Sequence, residues 1–119
     1  MAARKSSTRR ARADEGPRPG RPVRGSQSGR PIMALLDLLG RRWALRVIWE
    51  LREGACSFRA LQERCDGVSP SVLNKRLAEL REAGVLVLRE GYGLTRDGAR
   101  LLAALAPLDA WAKGWARRS

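Results

Sequence analysis

Ser71, Asn74 and Lys75 stand within five positions of one another, directly after a Ser69-Pro70 pair. On a helix started by that pair they share one face near its N-terminus. Their side chains suit base edges: an Asn amide pairs bidentately with adenine, and a Lys ammonium donates to guanine, each good contact discriminating by about 1–3 kcal/mol. Arg59, Arg76, Arg81 and Arg89 surround this segment, and guanidinium groups there suit phosphate oxygens, which position a protein on a nucleic acid without reading sequence. Catalytic chemistry finds no comparable support. The chain has no histidine, no nucleophile with a base partner and no glycine loop able to cradle phosphate, so it reads as a non-enzyme without a cofactor.

A helix presents such a face only if its other side is anchored. Ser69 is a suitable N-cap and Pro70 a suitable first helical residue, while Val68 and Leu73 are spaced as a hydrophobic staple. Leu73, Leu77 and Leu80 then turn inward, and Gly84 stops the helix near Ala83. Before it, Ser57 caps a two-turn helix with Phe58, Leu61 and Cys65 on one side, ended by Asp66-Gly67. After it, Val85 to Leu88 has strand composition, and Gly91-Tyr92-Gly93 turns it back as a short hairpin. Two helices around a tight turn, followed by a hairpin, read as a winged helix-turn-helix, mainly α with a small β-hairpin; in that arrangement the second helix enters the major groove.

The flanking elements supply the support. A helix from Pro31 carries Ile32, Leu35, Leu36 and Leu39 at helical spacing, and a second, from about Arg42 to Glu53, has Trp43, Val47, Ile48 and Leu51 on one face, with Leu45 and Trp49 opposite. A last helix begins near Thr95, with Leu101, Leu105, Leu108, Trp111 and Trp115 in three- and four-residue steps and a kink expected at Pro107. Trp111 and Trp115 on the last helix are large apolar groups that one small fold struggles to cover alone, and Trp49 suits either the core or an interface. Leu35, Trp49, Leu108, Trp111 and Trp115 are therefore expected at the interface of a homodimer.

At 119 residues the chain has room for one domain. Its net charge of +12 is uneven: residues 1–30 hold nine Lys and Arg against two acids, and residues 31–119 hold fifteen against ten. The first thirty residues have almost nothing to bury, so they are expected to form a flexible basic arm ahead of a domain at 31–119. A helix between Cys56 and Cys65 would hold their Cα atoms about 13 Å apart, too far for a disulfide. Cys65 reads as core and Cys56 as partly exposed. Two cysteines without histidine make a poor metal site. No apolar run approaches the length of a membrane span, and the arginine-rich start lacks a secretory signal's apolar segment, so a cytoplasmic, nucleoid-associated protein with no membrane partner is expected.

From Leu39 onward the chain resembles the HxlR family of bacterial winged-helix regulators, relatives of the MarR group. The matching pieces are LLGRRW (38–43), Phe58 and Leu61, SPSVLNKRLAELREAGV (69–85), YGLTRDG (92–98), and Leu101 with Trp111, in family order across about 80 residues. The resemblance implies a homodimeric transcription regulator whose first and last helices form the dimer interface. There are three departures. Arg30 stands where family members commonly carry a sensing cysteine before the first helix, the wing is clipped, leaving Arg89 as its one clear candidate for DNA contact, and Ser57 stands where a basic residue often precedes the phenylalanine.

Within the arm, PRPGRPVR (17–24) loosely resembles an AT-hook, and extended Gly-Arg-Pro backbone can lie in a narrow A·T minor groove. That reading assigns Arg18, Arg21 and Arg24 to the minor groove, against a plain solvated linker. The leading expectation is a sequence-specific, homodimeric regulator of transcription that binds double-stranded DNA; no effector is identified. A nonspecific nucleoid-type or RNA-binding module, or a winged-helix protein-interaction module, are the alternatives. Deleting residues 1–30 separates the first two: a regulator keeps its site preference, whereas a nonspecific binder loses most binding.

Overall fold

The computed structural model describes residues 16–119, so residues 1–15 of the expected arm lie outside it. Seven elements follow among the described residues: α1 (Pro31–Leu39), α2 (Ala44–Glu50), α3 (Phe58–Arg64), α4 (Pro70–Glu82), β1 (Leu86–Leu88), β2 (Tyr92–Leu94) and α5 (Arg96–Arg118). One apolar core joins them, built on Leu38, Val47, Ile48, Leu51, Leu61, Leu73, Leu77, Leu80 and Leu86. The sheet is the antiparallel pair β1-β2, with Leu86 opposite Leu94 and Leu88 opposite Tyr92. Cys56 adds a further bridge: its N–H donates to the Tyr92 carbonyl at 2.9 Å and its carbonyl accepts from the Tyr92 N–H at 2.7 Å. This bridge was not legible in the sequence, because a single extended residue has no periodicity.

α1 forms where expected, and of its predicted apolar set Leu39 is buried and Leu35 packs against the core, but the other two turn out. Ala34, Leu38 and Leu39 are buried, whereas Ile32 and Leu36 are 59% and 53% exposed. The cause is Asp37, which lies on the inward side and is held there by Arg24 and Arg41. α2 is shorter than the expected span at both ends. Trp43 precedes it in the left-handed region (φ 77°), and the chain leaves the helix at Leu51. Trp43 packs on the edge of the core, while Leu45 and Trp49 face outward as expected.

α5 starts at the predicted cap, the Thr95 hydroxyl accepting from the Gly98 N–H at 2.9 Å. Its first turn lies so close to the start of the hairpin that a Cβ on Gly98 would overlap the Val85 carbonyl oxygen. The helix continues through Pro107 to Arg118 as one element, and its half beyond that proline is largely exposed.

Residues 16–30 depart most from expectation. Instead of a loose arm they form a closed loop, in which the Gly20 N–H donates to the Gly29 carbonyl at 3.0 Å and Val23 and Ser26 exchange two backbone hydrogen bonds. Arg18 pairs with Glu82 at 2.9 Å and Arg24 with Asp37 at 3.0 Å. Composition missed this because the order comes from carboxylates elsewhere in the chain, 64 and 13 positions away.

Candidate nucleic-acid interface

The interface is assembled from the turn that aims α4. The Ser57 hydroxyl accepts from the Ala60 N–H at 3.0 Å and starts α3, whose Leu61 is fully buried along with the capping Cys65. Asp66 (φ 57°) and Gly67 (φ 77°) then occupy the left-handed region in succession, reversing the chain in two residues. Gln62 locks the reversal, its side-chain amide donating to the Val68 carbonyl at 3.0 Å. The Ser69 hydroxyl accepts from the Val72 N–H at 3.3 Å, and Pro70 opens α4. The helix therefore begins at a defined residue and a defined angle.

On α4 the two faces separate cleanly. Leu73, Leu77 and Leu80 are at most 1% exposed, and Val68, the other half of the expected staple, is also buried. Ser71, Asn74 and Lys75 are all exposed. Three side chains able to read base edges thus stand together on the outward side of a helix whose inward side is fixed.

Around them the expected phosphate contacts divide. Arg59 is almost wholly exposed and only loosely paired with Glu63 at 3.9 Å. Arg81 is exposed beside a groove lined by Ala78, Glu82, Leu86 and Leu88, and Arg89 is exposed at the tip of the hairpin next to Glu90. Arg76 differs from expectation: it is turned back, donating to the Arg42 carbonyl at 2.8 Å and to Glu79 at 3.3 Å, with only 16% of its side chain exposed. The physical reason is Glu79, a buried carboxylate that also takes Arg41 at 2.9 Å. Sequence reasoning missed Glu79, although its i, i+3 spacing from Arg76 was a visible signal. Arg42 was also missed. It is exposed, and with Ser69 and Val72 it lines a hollow at the start of α4.

The three arginines expected in a minor-groove arm are held by carboxylates. Arg18 and Arg21 lie at Glu82, and Arg24 lies at Asp37. Burial works against the Asp37 charge most strongly. Hydrogen bonds from the Arg24 N–H and guanidinium, with the positive charges of Arg41 and Arg24, outweigh it and hold the carboxyl below the ordinary aspartate value of 3.8.

Both cysteines are free and buried, so Cys56 is less accessible than expected. An Arg64 guanidinium N–H donates to the Cys56 sulfur at 2.9 Å, and burial pushes the Cys65 thiol up. Among the described residues no cluster of three His, Cys, Asp or Glu could hold a metal, and no helix is long and apolar enough to cross a membrane.

Of the residues expected between subunits, Leu35 is half-buried against the chain's own core, whereas Trp49, Leu108, Trp111 and Trp115 are exposed. Trp111 and Trp115 stack with ring centroids 5.7 Å apart. Leu45, Trp49, Leu105 and Leu108 line an apolar hollow of about 210 Å³ between α2 and α5.

Residues 38–119 match the family model described as HxlR-like helix-turn-helix. The uncharacterized HTH-type transcriptional regulator YvaP of Bacillus subtilis is 30% identical over 88 residues, covering 67% of this chain and 82% of that protein. The HTH-type transcriptional regulator YodB of the same organism is 34% identical over 84 residues, covering 64% of this chain and 75% of YodB. The crystal structure of quinone-bound YodB superposes with a TM-score of 0.65 at 30% identity, covering 70% of this chain and 96% of that one. The matched span contains both capped helices, the left-handed turn between them, the hairpin and α5. By sequence and by architecture alike, the chain belongs to the HxlR-like helix-turn-helix family, and it is a DNA-binding regulator of transcription.

Proposed function

We propose that the chain acts as a homodimer in which two copies of α4 enter successive major grooves of a pseudo-palindromic site, about 34 Å apart. One observation carries the reading: Ser71, Asn74 and Lys75 are all exposed on a helix whose opposite leucines are sealed in the core. These three read base edges, Asn74 against adenine and Lys75 against guanine. Arg59, Arg81 and Arg89, joined by Arg42, hold phosphates. Arg76 is left out, since its guanidinium is committed to Glu79 and the Arg42 carbonyl. Arg18, Arg21 and Arg24 are left out because Glu82 and Asp37 already hold them.

Dimer formation is supported by the exposed apolar surface of Trp49, Leu108, Trp111 and Trp115, which Arg52 over the Trp49 ring and Arg118 over Trp111 cover only in part. Leu35 contributes from the edge of the core. The quinone belongs to YodB; here Arg30 precedes α1 and both thiols are buried, which supports a structural role for the cysteines. A regulator of this kind works on the nucleoid, in the cytoplasm.

Selection of bound duplexes from a random pool, followed by footprinting, tests the proposal. Enrichment of a two-fold symmetric site with protected half-sites one helical turn apart is expected. An asymmetric footprint at saturating protein contradicts the dimer, and failure to enrich any sequence contradicts specific reading.

A further inference from the structure

The loop at residues 16–30 lies wholly outside the span that matches the family, which begins at residue 38. Yet it is docked on α4, the helix that carries Ser71, Asn74 and Lys75. Gly16 is buried against α4, so closely that an added Cβ would sit 3.0 Å from the Cβ of Glu79. The Arg18 guanidinium donates both to the Glu82 carboxylate at 2.9 Å and to the Glu82 backbone carbonyl at 3.1 Å. Arg21 approaches the other carboxylate oxygen at 3.5 Å and also donates to the Gly16 carbonyl, closing the loop on itself. A cation on a last-turn carbonyl meets both an unpaired acceptor and the negative end of the helix dipole.

We propose that Arg18 and Arg21 are positioning residues for the recognition helix: by holding Glu82 they set the tilt of α4 and hence the pose of Ser71, Asn74 and Lys75. The leverage is geometric. Eleven residues separate Ser71 from Glu82, roughly 16 Å of helix, so a tilt of about 4° at one end displaces the reading end by about 1 Å, more than a hydrogen bond to a base edge absorbs. Arg24 on Asp37 fixes the loop's other limb to α1, so the loop straps α1 and α4 together.

The proposal rests on the DNA-binding reading, and its test separates it from direct contact of the same arginines with DNA. Glu82→Gln removes the carboxylate charge and leaves the arginines in place. Binding of the full chain is measured on a duplex that the wild type selects from a random pool, across a salt series. Positioning predicts that Glu82→Gln and the double variant Arg18→Gln/Arg21→Gln each weaken binding by about three- to tenfold, that combining them adds little, and that the salt slope stays unchanged. Pairing Arg18→Glu with Glu82→Arg restores part of the loss. Glu82→Gln binding as tightly as wild type or tighter, or a slope that falls by about 1.8 in the double arginine variant, overturns the proposal. Amide exchange in the free protein tests it without DNA: Ala83, Gly84 and Val85, whose N–H groups close the end of α4, exchange faster in Glu82→Gln, and unchanged exchange also overturns it. If the wild type selects no duplex, the DNA reading fails while the exchange result still decides the strap.

Discussion

Single residues set the geometry of this molecule in ways that their types only partly announce. Gly98 is required by contact: any side chain there meets the Val85 carbonyl, which is backbone and cannot swing aside. Gly98→Ala is expected to destabilise the fold by about 1–3 kcal/mol, read as a lower midpoint in denaturant; an unchanged midpoint means that the hairpin and α5 are not in this register. Asp37 gives a pH signature. Its carboxyl is held below 3.8 in the folded state, so its contribution is complete above that value and erodes as pH falls below it. Wild type is therefore expected to be more stable than Asp37→Asn at neutral pH, with the difference shrinking in acid, and a pH-independent difference would show that the charge is not what matters. Neither residue was legible as a site in the sequence, since an inward aspartate and a contact glycine are defined by partners elsewhere in the chain. The outward placement of Ser71, Asn74 and Lys75 was legible, because helical periodicity alone sets them opposite Leu73, Leu77 and Leu80.

At the scale of elements, the parts governed by local chemistry were legible and the parts governed by distant partners were not. Ser57, Ser69 and Thr95 each cap the helix that the spacing predicts, because a cap is settled within four residues. Ser69→Ala is expected to cost about 1 kcal/mol and to loosen the entry of α4. Amide exchange at Val72, the N–H that the Ser69 hydroxyl accepts, should then be faster, and equal protection in the variant would show that Pro70 and the Val68–Leu73 contact suffice. The inward face of α1 was legible only in part, at Leu35 and Leu39, for the opposite reason. Its apolar residues are nearly continuous, and Asp37, held by Arg24 and Arg41, decides which of them turn in. The loop at 16–30 is the extreme case: low hydrophobicity predicted disorder, but arginine–carboxylate pairs and backbone hydrogen bonds give it a shape.

For the whole molecule, two surfaces carry opposite characters, and the account assigns each a partner. On the proposed reading, the basic, polar face of α4 and the hairpin meets DNA, while the exposed tryptophans of α5 meet a second copy of the chain. Trp111→Ala is expected to raise the dimer dissociation constant by roughly 30-fold, seen by sedimentation as a shift toward monomer, without loss of helix content. A variant that sediments as wild type would remove that tryptophan from the interface. The order of elements and the family were both visible in sequence, since they rest on caps, turns and leucine spacing. That Trp49, Trp111 and Trp115 stay exposed on the single chain was not fixed by the sequence, because burial between chains leaves the same apolar pattern as burial within one. The central claim, that the outward side chains of α4 read bases, is tested most directly by comparing wild type with Asn74→Ala on the selected duplex and on an unrelated duplex at one salt concentration. The account predicts that the affinity ratio between the two duplexes falls by about 5- to 150-fold while affinity for the unrelated duplex hardly changes; an unaltered ratio would contradict it.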